Sequence, residues 1–212
     1  MICVAAADCS IDFIKKLAAE HEMIELRFDL LDISDADVRE IVSINSNIIA
    51  TCRPEKISDP DRIRILKNAI DAGVKYVDVE IDSSDDFKNQ ICTYAKSKQV
   101  KIIISYHNYE KTPLKRELEE IVEWSHENNA DICKIACMIN STSDAARILS
   151  MYDYEKSVVA IGMGELGKIT RIAAVKLGAP FTFAGISDVN KTAPGQISSE
   201  KLNTIFGLID NA

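Results

Sequence analysis

Lys134 is the residue of this chain with the clearest chemical potential. It lies in the apolar run of residues 130–136, ADICKIA, which predicts a buried strand. Strand interiors rarely contain lysine, because burial of an unpaired ammonium is costly and favours the neutral amine. A neutral amine attacks a ketone to form a Schiff base. The structural alternative is a lysine at a strand end whose ammonium reaches solvent. The arrangement of the surrounding elements distinguishes a reactive lysine from this alternative.

Short apolar runs recur along the chain at intervals of roughly 22 to 30 residues, with amphipathic segments of helical length between them. The eight runs begin near residues 2, 23, 47, 75, 100, 130, 157 and 180. We expect helices over residues 60–72, 113–128, 142–152 and 198–210. Thr112 is expected to cap the second of these helices, with Pro113 at its first position, and Ser141 or Thr142 to begin the third.

This order of elements predicts a single (β/α)8 TIM barrel over residues 1–212, forming one catalytic domain. The alternative is an open, doubly wound sheet, which would more usually have a glycine-rich turn after its first strand. Residues 7–10, ADCS, contain no glycine. In a barrel the active site lies at the carboxyl ends of the strands, so polar side chains should cluster there.

Polar side chains do follow the predicted strands. Glu25, Arg27 and Asp29 alternate along the second strand, so their side chains share one face. Charges inside a barrel are tolerated when they pair or hold a polar ligand. The other strands are followed by polar residues or glycines, namely Arg53, Asp78 with Glu80, His107, Lys134, Gly162 with Gly164, Arg171, and the loop of residues 190–196. This convergence favours an active site, although Asp29 could belong to a structural ion network and Glu80 could pair with a barrel cation.

Composition argues against several classes of protein. A net charge of −8 and a pI near 5.0 argue against a nucleic-acid-binding surface. No apolar run approaches the length of about 18 residues of a membrane helix, and the N-terminus resembles a first strand rather than a signal peptide. The six cysteines form no C-x-x-C pair and the three histidines have no metal-ligand spacing. We therefore expect reduced core thiols in a cytoplasmic protein and no metal site.

A set of short motifs resembles those of type I 3-dehydroquinate dehydratase, the Schiff-base class of the shikimate pathway. In the family's order and over nearly the whole chain, they are residues 25–29 (ELRFD), 51–53 (TCR), 77–80 (VDVE), 105–113 (SYHNYEKTP), 131–136 (DICKIA), 141–144 (STSD), 162–164 (GMG), 169–171 (ITR) and 193–196 (APGQ). The resemblance implies a hydro-lyase that removes water from 3-dehydroquinate by syn elimination, giving 3-dehydroshikimate. It also implies the third step of chorismate and aromatic amino acid biosynthesis, and a homodimer without cofactor.

The resemblance also implies roles for individual residues. Lys134 would form the Schiff base with the C3 ketone, and the iminium would make loss of a C2 proton easier. His107 would be the general base and acid, since imidazole titrates near neutral pH. Arg171 would bind the substrate carboxylate through its planar fork. The remaining positions would hold the ring hydroxyls, close a lid or form an apolar wall beside the imine; they are Glu25, Arg27 and Arg53, Thr192 and Gln196, and Met163.

Three features depart from the family pattern. The family commonly has a glutamate four residues after the position of Arg53 that orients the histidine, and Ile57 stands there in this chain. Glu55, Glu80 or neither could replace it. Thr192 stands where the lid often has serine. The N-terminal hairpin that caps many family barrels has no counterpart, so we expect a barrel closed by side chains and a chain complete at both ends.

Two other functions stay open at this point. Another Schiff-base barrel enzyme, such as a class I aldolase, would share Lys134 but should lack His107, Arg171 and the lid in this arrangement. A catalytically silent barrel that binds a sugar acid or acts as a partner would have the fold without the chemistry. Formation of a covalent adduct with 3-dehydroquinate, followed by its dehydration, separates the three.

Overall fold

The computed structural model describes residues 1–187 and 192–212, and in these ranges strands and helices alternate. Each strand begins within two residues of the position that the apolar runs predict. The strands are β1 (Ile2–Ala6), β2 (Met23–Arg27), β3 (Ile48–Thr51), β4 (Tyr76–Glu80), β5 (Lys101–Asn108), β6 (Ile132–Met138), β7 (Val158–Met163) and β8 (Thr182–Ala184). The helices are α1 (Ile11–Glu20), α2 (Asp35–Ile44), α3 (Asp59–Ala72), α4 (Asp85–Ser97), α5 (Lys115–Glu127), α6 (Thr142–Leu149), α7 (Lys168–Ala173) and α8 (Ser199–Asp210).

The strands pair in parallel in the order β7-β6-β5-β4-β3-β2-β1-β8. The sheet therefore curls round until β8 lies beside β1, where Cys3 is opposite Phe183. Among the described residues no ladder joins β7 to β8. The predicted (β/α)8 barrel is confirmed, and it is nearly closed, with one seam between its last two strands.

The predicted helices are found, but the expected start of α5 is wrong. This helix begins after Leu114, whose backbone N–H donates to the Glu117 carboxylate at 2.7 Å. The hydroxyl of Thr112 instead donates to the carbonyl of Met138 at 2.7 Å. Thr112 therefore ties the loop after β5 to the end of β6 rather than capping the helix. Ser141 caps α6, as one of the two expected alternatives.

The barrel interior is apolar at the amino ends of the strands and charged at the carboxyl ends. Strand alternation sends every second side chain inward. The rings of Tyr76 and Phe181 lie 6.0 Å apart between centroids, and Phe181 packs on Phe183 at 5.5 Å. Above this aromatic stack the inward positions of β2, β4 and β6 are Glu25, Asp78 and Lys134. Because all strands are parallel, these charged positions meet at one end of the barrel.

Two further expectations concern the chain as a whole. All six cysteines are free, and five of them are buried. Burial raises the pKa of the Cys52 thiol to about 12, so this group stays protonated at neutral pH. Within the ranges that the structure describes, the helices lack the length and apolar character needed to cross a bilayer.

Candidate active site

Lys134 lies in β6 and is 6% exposed, so the predicted burial is confirmed. The ammonium is paired, however. Its Nζ lies 3.3 Å from Asp78 Oδ2 and 3.8 Å from Glu25 Oε1. The ring of Phe183 covers another side, with its centroid 4.2 Å from Nζ, which is a cation–π contact. The lysine is therefore held between two carboxylates and an aromatic face rather than reaching out to solvent.

Asp78 is the centre of the buried contacts around this lysine. Its Oδ1 accepts a hydrogen bond from Ser105 Oγ at 2.7 Å and lies 2.9 Å from Arg53 Nη1. Burial acts to raise the pKa of Asp78, but the charges of Arg53 and Lys134 outweigh it and hold that pKa well below its ordinary value. No site role was predicted for Asp78 from the sequence. The signal that could have found it is its spacing of two from Glu80, which sends both side chains inward.

His107, at the end of β5, is flanked by a carboxylate from β4. Its Nδ1 lies 3.4 Å from Glu80 Oε1, and the same oxygen lies 3.3 Å from Arg53 Nη1. In the described ranges, Glu80 is the carboxylate within ion-pairing distance of this imidazole, whereas Glu55 lines the cavity from an exposed position. Burial lowers the pKa of His107, Glu80 partly opposes this, and the charges of Arg53 and Lys134 add to the lowering. The imidazole is thus neutral at pH 7 and able to accept a proton.

Glu25 and Arg27 come from β2 and lie on the same inward face. The Glu25 carboxylate is buried and accepts a hydrogen bond from Thr51 Oγ1 at 2.8 Å. Arg27 donates from Nε and Nη2 to the two oxygens of Asp29, at 3.0 and 2.6 Å. This bidentate pair fixes the direction of the guanidinium. Asp29 therefore belongs to an ion pair that supports Arg27. This is the structural role that was considered for Asp29 from the sequence.

Arg171 has a buried guanidinium that is only partly hydrogen-bonded within the described residues. It lies on α7, is 1% exposed, and donates from Nη1 to the Phe183 carbonyl at 3.4 Å. Its Nε and Nη2 are buried and have no hydrogen-bond partner among the described residues. Burial without a counter-ion lowers the pKa of Arg171 to about 10. Such a group is suited to a planar anion, since a carboxylate accepts two parallel hydrogen bonds from the fork.

Glycines place the helix of Arg171 against the barrel. A Cβ on Gly167 would lie 2.5 Å from the backbone of Gly162, so α7 approaches β7 as closely as two glycines allow. The backbone N–H of Gly162 donates to Thr170 Oγ1 at 2.7 Å, which ties the helix to the strand. The tight packing considered for Gly162 from the sequence is therefore present, and it brings Arg171 to the barrel opening.

The loop before α8 is seated on the end of β7. The backbone N–H of Gly164 donates to the carbonyl of Pro194 at 3.2 Å. Gly195 has φ +72°, and a Cβ there would lie 2.2 Å from the Gly164 carbonyl oxygen. Gln196 is buried, and its Oε1 accepts from the backbone N–H of Thr192 at 2.8 Å. The loop thus covers the cavity with a polar side chain turned inward. Residues 190 and 191, part of the loop predicted from the sequence, lie outside the described residues.

One open cavity of about 570 Å³ joins these groups. It is lined by all nine residues that the sequence analysis placed in the site: Glu25, Arg27, Arg53, His107, Lys134, Met163, Arg171, Thr192 and Gln196. The cavity is also lined by Glu55, one of the two carboxylates considered from the sequence for orienting His107, and by residues without a predicted role, Tyr109, Ala136, Ile161, Phe183 and Ala193. Within the described residues, no group of three His, Cys, Asp or Glu side chains is placed to hold a metal ion. The cavity therefore combines an amine, a proton acceptor and an anion-binding fork.

A (β/α)8 barrel whose strand ends bring a lysine, a histidine and a buried arginine into one cavity has the architecture of a barrel enzyme. Comparison with known families identifies which one. The family model described as type I 3-dehydroquinase matches residues 2–212. The chain therefore belongs to the type I 3-dehydroquinase family, and it is a hydro-lyase.

Individual relatives are similar to the chain over almost its whole length. The 3-dehydroquinate dehydratase of Methanococcus vannielii is 36% identical over 222 residues, covering 99% of this chain and 100% of the relative. That of Methanocaldococcus jannaschii is 34% identical, covering 99% of each. A crystal structure of type I 3-dehydroquinate dehydratase from Clostridium difficile, with covalently modified comenic acid, has a TM-score of 0.86 and 28% identity, covering 99% of this chain and 92% of that one. These findings support 3-dehydroquinate dehydratase activity.

Proposed function

We propose that the chain dehydrates 3-dehydroquinate to 3-dehydroshikimate by syn elimination through a Schiff base on Lys134. The observation that carries the proposal is the buried guanidinium of Arg171, which has two donors without a partner among the described residues and lies in the cavity that also holds Lys134 and His107. The substrate has one carboxylate, one ketone and several ring hydroxyls. Its carboxylate on Arg171 would satisfy these two buried donors, and its ketone would then face the amine.

The reaction begins when the Lys134 ammonium gives one proton to the neutral imidazole of His107 and the resulting amine attacks the C3 carbonyl carbon. The imidazolium then returns that proton to the former carbonyl oxygen, which leaves as water, so an iminium and a neutral imidazole remain. His107 accepts the proton from C2, and the electron pair of that C–H bond moves toward the iminium nitrogen to give an enamine. The enamine expels the C1 hydroxyl, which leaves as water after receiving the proton from the same imidazole. Use of one imidazole for both transfers accounts for syn elimination. Water then hydrolyses the iminium, releasing 3-dehydroshikimate and the amine.

The other residues of the cavity have binding roles in this proposal. The substrate hydroxyls would be held by buried or partly buried charged groups whose directions are set by neighbours, namely Glu25, Arg27 and Arg53. Met163 is 1% exposed and would form the apolar wall beside the imine. Thr192 and Gln196, joined by a hydrogen bond, would close the loop over the substrate. Exclusion of water in this way strengthens each electrostatic contact inside the site.

Reductive trapping tests the proposal. The protein is incubated with 3-dehydroquinate, treated with borohydride and weighed as an intact protein, and the modified peptide is then located. We expect one reduced adduct on Lys134 in the unmodified protein. We expect none in Lys134→Met, because methionine has an unbranched side chain like that of lysine but lacks the amine. His107→Ala should still be trapped while turning over about 100-fold or more slowly, because it lacks the general base.

The outcomes separate the candidate functions. Adduct formation without 3-dehydroshikimate absorbance would indicate another Schiff-base chemistry and contradict the dehydratase proposal. Absence of both adduct and absorbance would indicate a catalytically silent barrel. Full turnover by His107→Ala would show that the proton acceptor is a different group.

We further propose that residues 1–212 act as one catalytic unit, as a homodimer in the cytoplasm, in the third step of chorismate and aromatic amino acid biosynthesis. Six free cysteines suit a reducing compartment. Large apolar side chains stand exposed on α7 and α8, among them Ile169, Leu208 and Ile209, and would be covered in a dimer. Sedimentation equilibrium checks the assembly, and a mass of one chain at micromolar concentration would contradict it.

A further inference from the structure

We propose that Asp78 is the counter-ion of the reacting nitrogen of Lys134 throughout the reaction and that it orients the iminium, an inference that rests on the proposed Schiff base. Asp78 Oδ2 lies 3.3 Å from Nζ, nearer than Glu25 Oε1 at 3.8 Å. The same Glu25 oxygen already accepts a hydrogen bond from Thr51. The Asp78 side chain is fully buried, so water does not screen its charge.

Two neighbours keep the Asp78 carboxylate ionised when the lysine loses its charge. Arg53 Nη1 lies 2.9 Å from Oδ1, and Ser105 Oγ donates to that oxygen at 2.7 Å. Both contacts use Oδ1, so Oδ2 is left for Lys134. A carboxylate stabilised in this way is a poor proton acceptor. Asp78 therefore supplies charge and direction, while proton transfer stays with His107.

Formation of the iminium makes the direction of this contact important. A lysine ammonium has three N–H donors, whereas an iminium nitrogen joined to the lysine and to C3 keeps one. That N–H lies in the plane of the C=N bond. When it donates to Asp78 Oδ2, the plane of the substrate around C3 is fixed relative to the barrel. A fixed plane presents one face of C2 to His107, which is what stereospecific proton removal requires.

Asp78→Asn tests the inference, since it removes the charge and keeps the shape. The titratable and charged groups around the nitrogen are Asp78, Glu25, Cys3, Arg53 and His107. We expect the fraction of protein trapped by borohydride with saturating 3-dehydroquinate to fall about tenfold at slightly alkaline pH, because a charge-assisted contact to the iminium is lost. The trapped fraction should recover as the pH is lowered, because added protons restore the iminium. The unmodified protein should show no such recovery.

Glu25→Gln is the matched control, because it makes the same charge change beside the same nitrogen. It should weaken substrate binding but leave the pH profile of trapping as in the unmodified protein. An unchanged profile in Asp78→Asn, or an equal shift in both variants, would overturn the inference. An unmodified protein that gives no adduct would instead overturn the proposed function.

A second variant covers the case in which Asp78→Asn does not fold. Ser105→Ala keeps the charge of Asp78 and removes the 2.7 Å hydrogen bond that orients it. We expect kcat to fall about fivefold with KM unchanged, because the orientation of the iminium matters after substrate binding. A kcat equal to that of the unmodified protein would overturn the inference.

Discussion

Two buried arginines of this site should respond in opposite ways to the same substitution. Arg171 is 1% exposed and has two donors without a partner in the described part of the chain, whereas Arg53 is 7% exposed and pairs with Asp78 and Glu80. We expect Arg171→Met to stabilise the substrate-free protein while lowering kcat/KM strongly. We expect Arg53→Met to destabilise the protein. The contrast follows from whether burial of each charge is compensated by neighbours.

The expected size of each effect follows from the surroundings. At pH 7 Arg171 is charged in the folded and unfolded states, and the lowering of its pKa to about 10 corresponds to about 3 kcal/mol of unfavourable folding free energy. Loss of its hydrogen bond to the Phe183 carbonyl costs about 1 kcal/mol, so Arg171→Met should gain about 2 kcal/mol, or about 4–8 °C in Tm for a chain of this length. Removal of Arg53 takes away the cation 2.9 Å from the buried Asp78 carboxylate and leaves two carboxylates, Asp78 and Glu80, with fewer neighbouring cations, which should cost about 3–5 kcal/mol.

Urea unfolding at pH 7 without substrate, followed by far-UV circular dichroism, measures both variants against the unmodified protein. Turnover is measured alongside, and Arg171→Met should lose about 100-fold or more in kcat/KM, because an unpaired substrate carboxylate must be desolvated. A loss of stability by 1 kcal/mol or more in Arg171→Met would refute the reasoning. That result would mean that the guanidinium is already satisfied in the free protein.

Two further variants probe the histidine and the loop before α8. Glu80→Gln removes the group that raises the pKa of His107 against the effect of burial, so the acid limb of the kcat/KM profile should move to lower pH; a limb that stays in place or moves to higher pH would contradict the role of Glu80. Gly195→Ala adds a Cβ 2.2 Å from the Gly164 carbonyl oxygen at φ +72°, so kcat/KM should fall about tenfold or more. Gly178→Ala, at φ +108° with open space around it, is the control, and it should lower Tm without a comparable loss of kcat/KM.

The sequence predicts the barrel well because its strands are continuous apolar runs, which is the pattern of a parallel sheet buried on both faces. The positions of Lys134, His107 and Arg171 follow from the strand order, since parallel strands bring their carboxyl ends together. Which side chains pair was not predictable in the same way. Asp78 and Lys134 are 56 residues apart, and their contact depends on barrel curvature and strand register.

The same limit applies to two features, the carboxylate beside His107, which stayed open from the sequence, and the start of α5, which was predicted wrongly. The carboxylate beside His107 is Glu80, which is carried by the neighbouring strand, rather than one in the altered loop after Arg53. The start of α5 was misjudged because Thr112 is drawn to the Met138 carbonyl across the loop, a tertiary contact that outweighs local capping preference. Local propensity decides where elements form, and packing between elements decides what their end residues bind.

The charges at the barrel opening are divided unevenly between the two halves of the chain. Among the described residues, β1–β4 and the turns after them contribute five carboxylates and two arginines: Glu25, Asp29, Glu55, Asp78 and Glu80, with Arg27 and Arg53. The elements from β5 onward contribute a lysine, an arginine and a histidine, Lys134, Arg171 and His107. A cut between β4 and β5 would thus leave surplus negative charge at the opening of the first fragment and surplus positive charge at the opening of the second. At the barrel opening the two halves thus complement each other in charge, and the ion pairs that position the site also link the first half of the barrel to the second.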